Sequence, residues 1–414
     1  GSEMCIRDRK LRVSYGATGN NASVGNYETS FLANQLYYSG FGKGFGPGIM
    51  NELLSWETTT EFNTGLDFAF LGGRVSGTFD WYTKTSKDLL MDMKLLLEQG
   101  SYNGSMTANV GKVRNSGVEL MLKGILFQSK DFYWDITASF AKNKNEILEL
   151  QGKKEDMRAE RWFIGQPIDV AYDLKQLGIC TQAKANELVT INGVTKTNSE
   201  WYGYFEGCMT YEDANKDGKL NDDDRQILGH ALPKWTGNLS TTLSYKNWDF
   251  SMSINTKQGH LLYSPFMEEF TNYSDRGRTK LNMDFYIPEG APIFNYTWDG
   301  KTTTSLTSNP NIVADHTTVG SYPYPFDGAA YNYGGGNGWY TSKNKEFESN
   351  NYVDASYWKI KNITVGYTFS KKLIKKIGLE NLRIYANILN PFTFTDYKGF
   401  DPEWADAKIS DGTG

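Results

Sequence analysis

The chain has 414 residues and a formal net charge of −5 at pH 7. An acidic chain lacks the basic face with which a nucleic-acid binder displaces counterions from phosphates, so that class is excluded. Aromatic residues make up 14% of the chain, and 42 glycines stand against 11 prolines, which favours strands and turns over helices. The most apolar stretch, Asp88 to Leu97, is interrupted by Asp92 and Lys94, so no transmembrane helix is predicted.

The first residues, Gly1 to Arg9, have neither the apolar core nor the cleavage-site pattern of a signal peptide. We interpret residues 1–10 as a non-native or artefactual leader and exclude them from the fold. The first predicted strand is Leu11 to Ala17.

Alternation with a period of two residues predicts the following strands, because successive side chains of a strand point to opposite faces. In Glu61 to Phe70 the apolar residues share one parity and the polar residues take the other. A turn at 71–73 leads to a strand at 74–85, so this pair predicts a hairpin. The same alternation predicts strands at 118–122, 132–145, 239–245, 248–257, 363–369 and 381–390.

The connections between these strands, about nine in number, alternate short and long. Short connections are predicted near 71–73, 128–131, 246–247 and 370–380, and long ones at 18–55, 86–113, 146–234, 258–352 and from 391 to the end. An outer-membrane barrel has short periplasmic turns and long outer loops, so the pattern predicts an all-β, antiparallel, up-and-down transmembrane β-barrel. An odd number of strands leaves unpaired edges that lipid does not tolerate, so the barrel is expected to be incomplete, with a returning strand missing.

Six segments or pairs of segments follow one another along the chain: Leu11–Gly16 with Thr18–Asn21, Trp56–Thr59 with Asn63–Asp67, Asn109–Leu120, Leu228–Gly229 with Leu232–Gly237, Tyr357–Ile363, and Asn390–Phe392 with Gly399–Glu403. In sequence and in order they resemble SusC/RagA-type TonB-dependent receptors.

This resemblance implies that residues 11–414 are the C-terminal part of a barrel of about 22 strands, without the N-terminal plug, its TonB box or the terminal strand. It also implies location in the outer membrane of a Gram-negative-type cell. The implied function is import of a nutrient, an oligosaccharide or a peptide, so that glycan uptake is one expected role. A SusD-like surface lipoprotein would act as a lid, and the TonB complex would supply energy through the plug region.

The sharpest local motif lies in the third long connection and has the spacing of a calcium loop. Oxygen ligands at positions 1, 3, 5 and 9, a backbone carbonyl at 7, a glycine at 6 and a carboxylate at 12 match that pattern. The predicted structural Ca²⁺ ligands are Asp213, Asn215, Asp217, the carbonyl of Lys219, Asn221 and Asp224. The twelfth ligand is Asp224 rather than glutamate, so a bidentate grip needs tighter closure, and the alternative is a solvated acidic turn.

The long loops are rich in aromatic residues, which can stack on sugars or contact a lid, or can simply pack loops together. The candidates for ligand or lid contact are Tyr37, Tyr38, Trp201, Tyr204, Tyr322, Tyr324, Trp339 and Tyr340. Cys180 and Cys208 form a disulfide or remain two unpaired small side chains, and the sequence leaves both possibilities open.

No pattern in the sequence supports an active site, and we predict that the chain is not an enzyme. The three histidines are far apart and no pair of carboxylates can be placed together. A second hypothesis is a soluble β-rich carbohydrate-binding or hydrolase domain. The two hypotheses differ in one observable: apolar residues such as Phe68 and Trp134 face lipid in a barrel and are buried in a sandwich.

Overall fold

The computed structural model describes residues 9–20, 55–94, 105–264, 286, 352–397, 399 and 401–403, and the backbone alone of five short strand segments, 2–5, 33–37, 43–47, 295–296 and 302–303. The chain forms two compact units. We call residues 1–169, 232–259 and 356–395 the sheet unit, and residues 170–231, 260–355 and 396–414 the loop unit.

Strands account for nearly all of the regular structure. They are β1 Ser2–Cys5, β2 Arg9–Asn20, β3 Ala33–Tyr37, β4 Lys43–Pro47, β5 Glu57–Phe70, β6 Val75–Lys94, β7 Ser105–Gln128, β8 Phe132–Glu149, β9 Val170–Leu174, β10 Gln176–Ile179, β11 Leu188–Ile191, β12 Val194–Thr197, β13 Met209–Tyr211, β14 Arg225–His230, β15 Trp235–Tyr245, β16 Trp248–Gln258, β17 Leu261–Tyr263, β18 Asn295–Tyr296, β19 Thr302–Thr303, β20 Tyr352–Asp354, β21 Tyr357–Thr368 and β22 Arg383–Thr395. Short helices lie at Gln182–Ala185, Asn198–Tyr202 and Lys371–Ile374, with 3-10 turns at Arg158–Glu160, Asp222–Asp224 and Lys375–Ile377.

The sheet unit contains a ten-stranded antiparallel sheet, in which the short strand β1 is followed by nine long strands in chain order. The order is β1-β2-β5-β6-β7-β8-β15-β16-β21-β22. This confirms the predicted up-and-down arrangement. Arg9 and Lys10, which the sequence interpretation assigned to the excluded leader, are the first two residues of β2, and the backbone of Ser2–Cys5 pairs beside that strand.

The predicted short connections are confirmed, because β5 and β6, β7 and β8, β15 and β16, and β21 and β22 are each joined by the segments that the alternation marked as turns. The tightest lies between Tyr245 and Trp248, where Lys246 adopts a left-handed φ of 52°. These four turns are every second connection in an antiparallel sheet of consecutive strands, so they all lie at one rim of the sheet.

One predicted loop was wrong. Most of the segment 86–113 is strand, because β6 and β7 stay paired as far as Lys94 and Ser105. The apolar alternation that marks a strand arises from lipid on one face and water on the other. Where a strand extends beyond that boundary the alternation fades, although backbone pairing continues.

Alternate side chains along the strands form one apolar face of the sheet. Leu11, Leu66 and Phe79 are directly opposed across β2, β5 and β6. Leu66 and Phe79 are 39% and 41% exposed. Phe68 and Trp134 are only half-buried, so the described strands do not enclose them in the core that a sandwich would require.

Aromatic side chains form two rows across the apolar face. Near the short turns, Phe132 packs on Tyr245 with ring centroids 6.3 Å apart. At the other end, Trp235 packs on Phe140 at 5.8 Å and on Trp358 at 6.0 Å. Trp235 and Tyr245 are about 33 Å apart along β15 at a rise of about 3.3 Å per residue, and a barrel tilt of about 40° reduces this to about 25 Å, the height of a lipid-facing band.

The loop unit is built from small two-stranded sheets: β9 with β14, β10 with β13, and β11 with β12. The helix Asn198–Tyr202 begins at a capping box in which Thr197 and Glu200 bond each other's backbone amides. Side chains buried here include Leu174, Cys180 and Met209. None of the helices in the described residues is long and apolar enough to cross a membrane.

Candidate functional site

The opposite face of the sheet is polar, and its side chains meet over glycines. Arg12 on β2 and Asp80 on β6 are both in register with Gly65 on the strand between them. Arg12 Nη2 lies 2.9 Å from carboxylate oxygens of both Asp67 and Asp80. A methyl group on Gly65 would overlap both Arg12 and Asp80, so the glycine opens the space in which this ion cluster closes.

Two further glycines on this face are bridged in the same way. The Tyr82 hydroxyl donates to Asn143 Oδ1 at 3.2 Å across Gly117, which is in register with both residues. Arg383 Nε donates to Asp249 Oδ1 at 3.1 Å above Gly366. Sequence reasoning missed these bridges. The available signal was a glycine at a polar-face position of a strand, with a polar residue paired to it on a neighbouring strand.

A second charged cluster lies between β7 and β8. Lys123 Nζ is 3.1 Å from Asp135 Oδ2, and the Tyr133 hydroxyl donates to the same oxygen at 2.9 Å. These groups satisfy one another, so this face presents hydrogen-bonding groups without a large excess of either charge. Such a face suits a water-filled lumen through which a polar solute passes.

The predicted calcium loop folds around its own carboxylates. Asp213 accepts hydrogen bonds from the Asp217 amide at 3.2 Å and from the Gly218 amide at 2.8 Å. Gly218 has a φ of +85°, the left-handed conformation for which the motif requires glycine. The twelfth residue, Asp224, is fully buried and accepts from the amides of Ala214 and Asn221, both at 3.0 Å.

Both carboxylates therefore turn inward onto the loop backbone. Among the described residues, no three His, Cys, Asp or Glu side chains come together closely enough to hold a metal ion. The predicted ligand set differs from such a group because it includes Asn215, Asn221 and the carbonyl of Lys219. Metal binding by this set stays a prediction.

The loop's negative charge acts on its aromatic neighbours. The Tyr202 hydroxyl donates to Asp213 Oδ2 at 2.9 Å. Burial, together with this hydrogen bond and the nearby carboxylates, raises the pKa of Tyr202 well above its ordinary value. The Trp201 ring covers Gly218, where an added Cβ would lie 2.6 Å from the indole. Trp201 is therefore placed to report on the loop.

A family model of the TonB dependent receptor-like β-barrel matches residues 8–286, more than half of the chain. The chain belongs to this family. TonB-dependent receptor barrels of this family lie in the outer membrane, so the apolar face and its aromatic rows face lipid.

Curated relatives confirm the resemblance to SusC/RagA-type receptors drawn from the motifs. The chain is 28% identical to SusC of Bacteroides thetaiotaomicron over 96% of this chain and 35% of SusC, and 28% identical to the TonB-dependent receptor P39 of Formosa agariphila over 95% of this chain and 37% of that protein. The chain thus spans little more than a third of these relatives' length.

Solved structures agree on the fold. The RagAB peptide importer in the closed-closed state superposes with a TM-score of 0.64 at 24% identity, over 99% of this chain and 39% of that one. A second structure, described as the RagAB peptide transporter, gives a TM-score of 0.63 at 23% identity, over 97% of this chain and 39% of that one. The soluble β-domain hypothesis is not favoured by these matches.

The receptor's aromatic candidates fall into two sets. Trp201 is half-buried, donates through Nε1 to the Val189 carbonyl at 3.0 Å, and has Lys196 above its ring at 4.8 Å. Tyr204 is buried and its hydroxyl both donates to and accepts from the Tyr211 backbone, so the packing alternative describes it. The remaining candidates lie outside the described residues or have undescribed side chains: Tyr37, Tyr38, Tyr322, Tyr324, Trp339 and Tyr340.

Proposed function

We propose that this chain forms part of the wall of an outer-membrane transporter that imports a nutrient, an oligosaccharide or a peptide. The observation that carries the proposal is the two-faced sheet, with an apolar face bounded by aromatic rows and a polar face of paired charges. A sheet of this kind separates lipid from a polar passage. Membership of the receptor family and similarity to SusC support the same function.

The proposal extends to two partners. A SusD-like surface lipoprotein covers the outer opening, and the TonB complex supplies energy through a plug domain. Similarity to SusC supports the first partner. Family membership supports the second.

Uptake by the complete receptor in its own host tests this proposal. Cells would be given a labelled oligosaccharide and a labelled peptide of similar mass, with the receptor gene intact or deleted and with the TonB complex intact or removed. We expect one probe to accumulate only when both are present. Accumulation that does not depend on TonB, or the absence of accumulation for both probes despite normal receptor abundance, would contradict the proposal.

A second proposal concerns the loop 213–224, which we infer binds Ca²⁺ as a structural ion. Asp213, Asp217 and Asp224 place three carboxylates in one twelve-residue loop, and Asp224 is fully buried and accepts hydrogen bonds from the backbone amides of Ala214, Asn215 and Asn221. Each carboxylate retains lone pairs beyond those used by the amides, and calcium prefers oxygen ligands. The bound ion would offset the repulsion among these charges and hold the loop closed.

Calorimetry and tryptophan fluorescence of the detergent-purified receptor test calcium binding. The emission of Trp201 is taken as the difference between a protein and its matched Trp201→Phe variant. We expect saturable heat and a change in emission with Ca²⁺, but a much weaker response with Mg²⁺, which demands a stricter geometry. Asp217→Asn, at an exposed position, should weaken binding by at least about tenfold. Asp223→Asn, an exposed residue outside the ligand set, is the matched control. If the unsubstituted protein gives no calcium-dependent heat, the site should be abandoned.

A further inference from the structure

Two cysteines of the loop unit face each other across a pair of strands. The last register pair of β10 and β13 is Ile179 with Met209, so Cys180 and Cys208 are the next residues on the two strands. The Cys180 amide donates to the Cys208 carbonyl at 2.8 Å, and the Gly207 amide donates to the Cys180 carbonyl at 2.8 Å. Cys180 therefore lies opposite the pair Gly207 and Cys208, where the ladder carries one extra residue and Gly207 has a φ of 89°.

This placement satisfies the geometry of a disulfide. Directly opposed residues of antiparallel strands have Cα atoms about 4.5–5.5 Å apart, within the range of about 4.4–6.8 Å that a disulfide spans. Both side chains are free thiols in this structure and are buried in the same apolar cluster. Cysteines that are far apart can be bridged only after the backbone moves, and these two need no such movement.

The surroundings favour a permanent link over a reactive site. Cys180 and Cys208 are 0% and 5% exposed and pack with Ala185 and Tyr204 in one apolar cluster. Thiols enclosed in this way are inaccessible to solutes once the unit has folded. A link between them would have to form while the loop unit is still open.

We propose that Cys180 and Cys208 are joined by a disulfide that closes the segment 181–207 during passage of the receptor through the periplasm. This inference rests on the outer-membrane location of the family and not on the import proposal. The oxidant is a periplasmic protein that carries a reactive disulfide. One cysteine thiolate attacks that disulfide, which forms a mixed disulfide and releases one oxidant thiol. The second cysteine thiolate then displaces the other oxidant sulfur, so the receptor loses two hydrogens and the oxidant leaves as a dithiol.

The enclosed segment gives the link its structural role. It contains the helices Gln182–Ala185 and Asn198–Tyr202, the β11–β12 hairpin and Trp201. Its ends are otherwise joined by the short β10–β13 ladder. A covalent bond at this position limits the conformations of the unfolded segment and thereby stabilises the folded one.

Alkylation of the full receptor purified from outer membranes tests the proposal. The protein is treated with a maleimide in denaturant, with and without prior reduction, and peptide mass analysis then reads residues 180 and 208 separately from every other cysteine. We expect modification of residues 180 and 208 only after reduction. In the matched Cys208→Ser variant, Cys180 should be modified without reduction. Modification of both cysteines in unreduced, denatured protein would overturn the proposal, because denaturant exposes buried thiols but does not break a disulfide.

Discussion

The sheet unit and the loop unit bury different residues, although both are made mainly of strands. In the sheet unit, large apolar residues such as Phe79 and Leu239 remain about 40% exposed. In the loop unit, Leu174 and Cys180 are completely buried, and Met209 nearly so. The sheet is completed by lipid, whereas the loop unit has to bury its own apolar side chains because water surrounds it. The burial of apolar residues in the two units therefore follows from two different solvents, lipid for the sheet and water for the loop unit.

The largest effect should come from a charge on the lipid-facing side of the sheet. Leu239 lies in the middle of β15, between the two aromatic rows, and is in register with Ala138 and Ile254. Leu239→Arg should destabilise the receptor in a bilayer by roughly 2–4 kcal/mol, the cost of an arginine near the midplane. Unfolding by denaturant in phospholipid vesicles measures this loss. Thr242→Arg, on the polar face of the same strand, is the control, and equal losses in both variants would remove the distinction between lipid and lumen faces.

In the loop unit the corresponding prediction concerns a glycine that is enclosed by a neighbouring side chain. Gly218 combines a φ of +85° with an indole 2.6 Å from the position of an added Cβ. Gly218→Ala should cost about 2 kcal/mol or more, since left-handed strain of about 1 kcal/mol adds to the displacement of Trp201. Gly193→Ala shares the positive φ, +80°, but has open space around it, so only the strain should remain. Thermal unfolding followed by Trp201 emission compares the two variants, and similar losses would show that packing on Trp201 contributes nothing.

Sequence alone predicts the sheet better than the loop unit, because lipid covers one face of the sheet and the loop unit buries its own apolar residues. Lipid imposes a strict alternation, so the strands around Phe68, Trp134 and Phe250 and the turns between them could be read directly. Beyond the apolar band that constraint ends, and the extension of β6 to Lys94 could not be predicted. The calcium-loop spacing could be recognised because it is local. The burial of Tyr204 depends on contacts that are remote in sequence, and no local pattern encodes them.

The glycine bridges of the polar face allow a finer test of how the sheet unit is held together. Gly65→Ala forces apart the ends of Arg12 and Asp80, which are flexible, so we expect a loss of only about 1 kcal/mol. Gly16→Ala, on β2 with no atom within 4 Å of the added Cβ, is the matched control and should be neutral or slightly stabilising. Unfolding in vesicles again provides the measurement. A neutral Gly65→Ala would mean that the Arg12 cluster adds nothing to the stability of the sheet.

The smallest effect concerns the pH dependence of the loop unit. Glu200 accepts hydrogen bonds from the backbone amide and the hydroxyl of Thr197, at 2.8 and 3.1 Å, and these bonds hold the pKa of Glu200 below its ordinary value of 4.5. A depressed pKa in the folded state means that the contribution to stability is complete above pH 4.5 and is lost as the pH falls through the folded value. The helix that carries Trp201 should therefore loosen in this acid range. Glu200→Gln keeps a side chain able to complete the capping box but cannot titrate, so its Trp201 emission should change less between pH 5 and pH 3. If both proteins respond identically, the helix cap does not control the acid sensitivity of this unit.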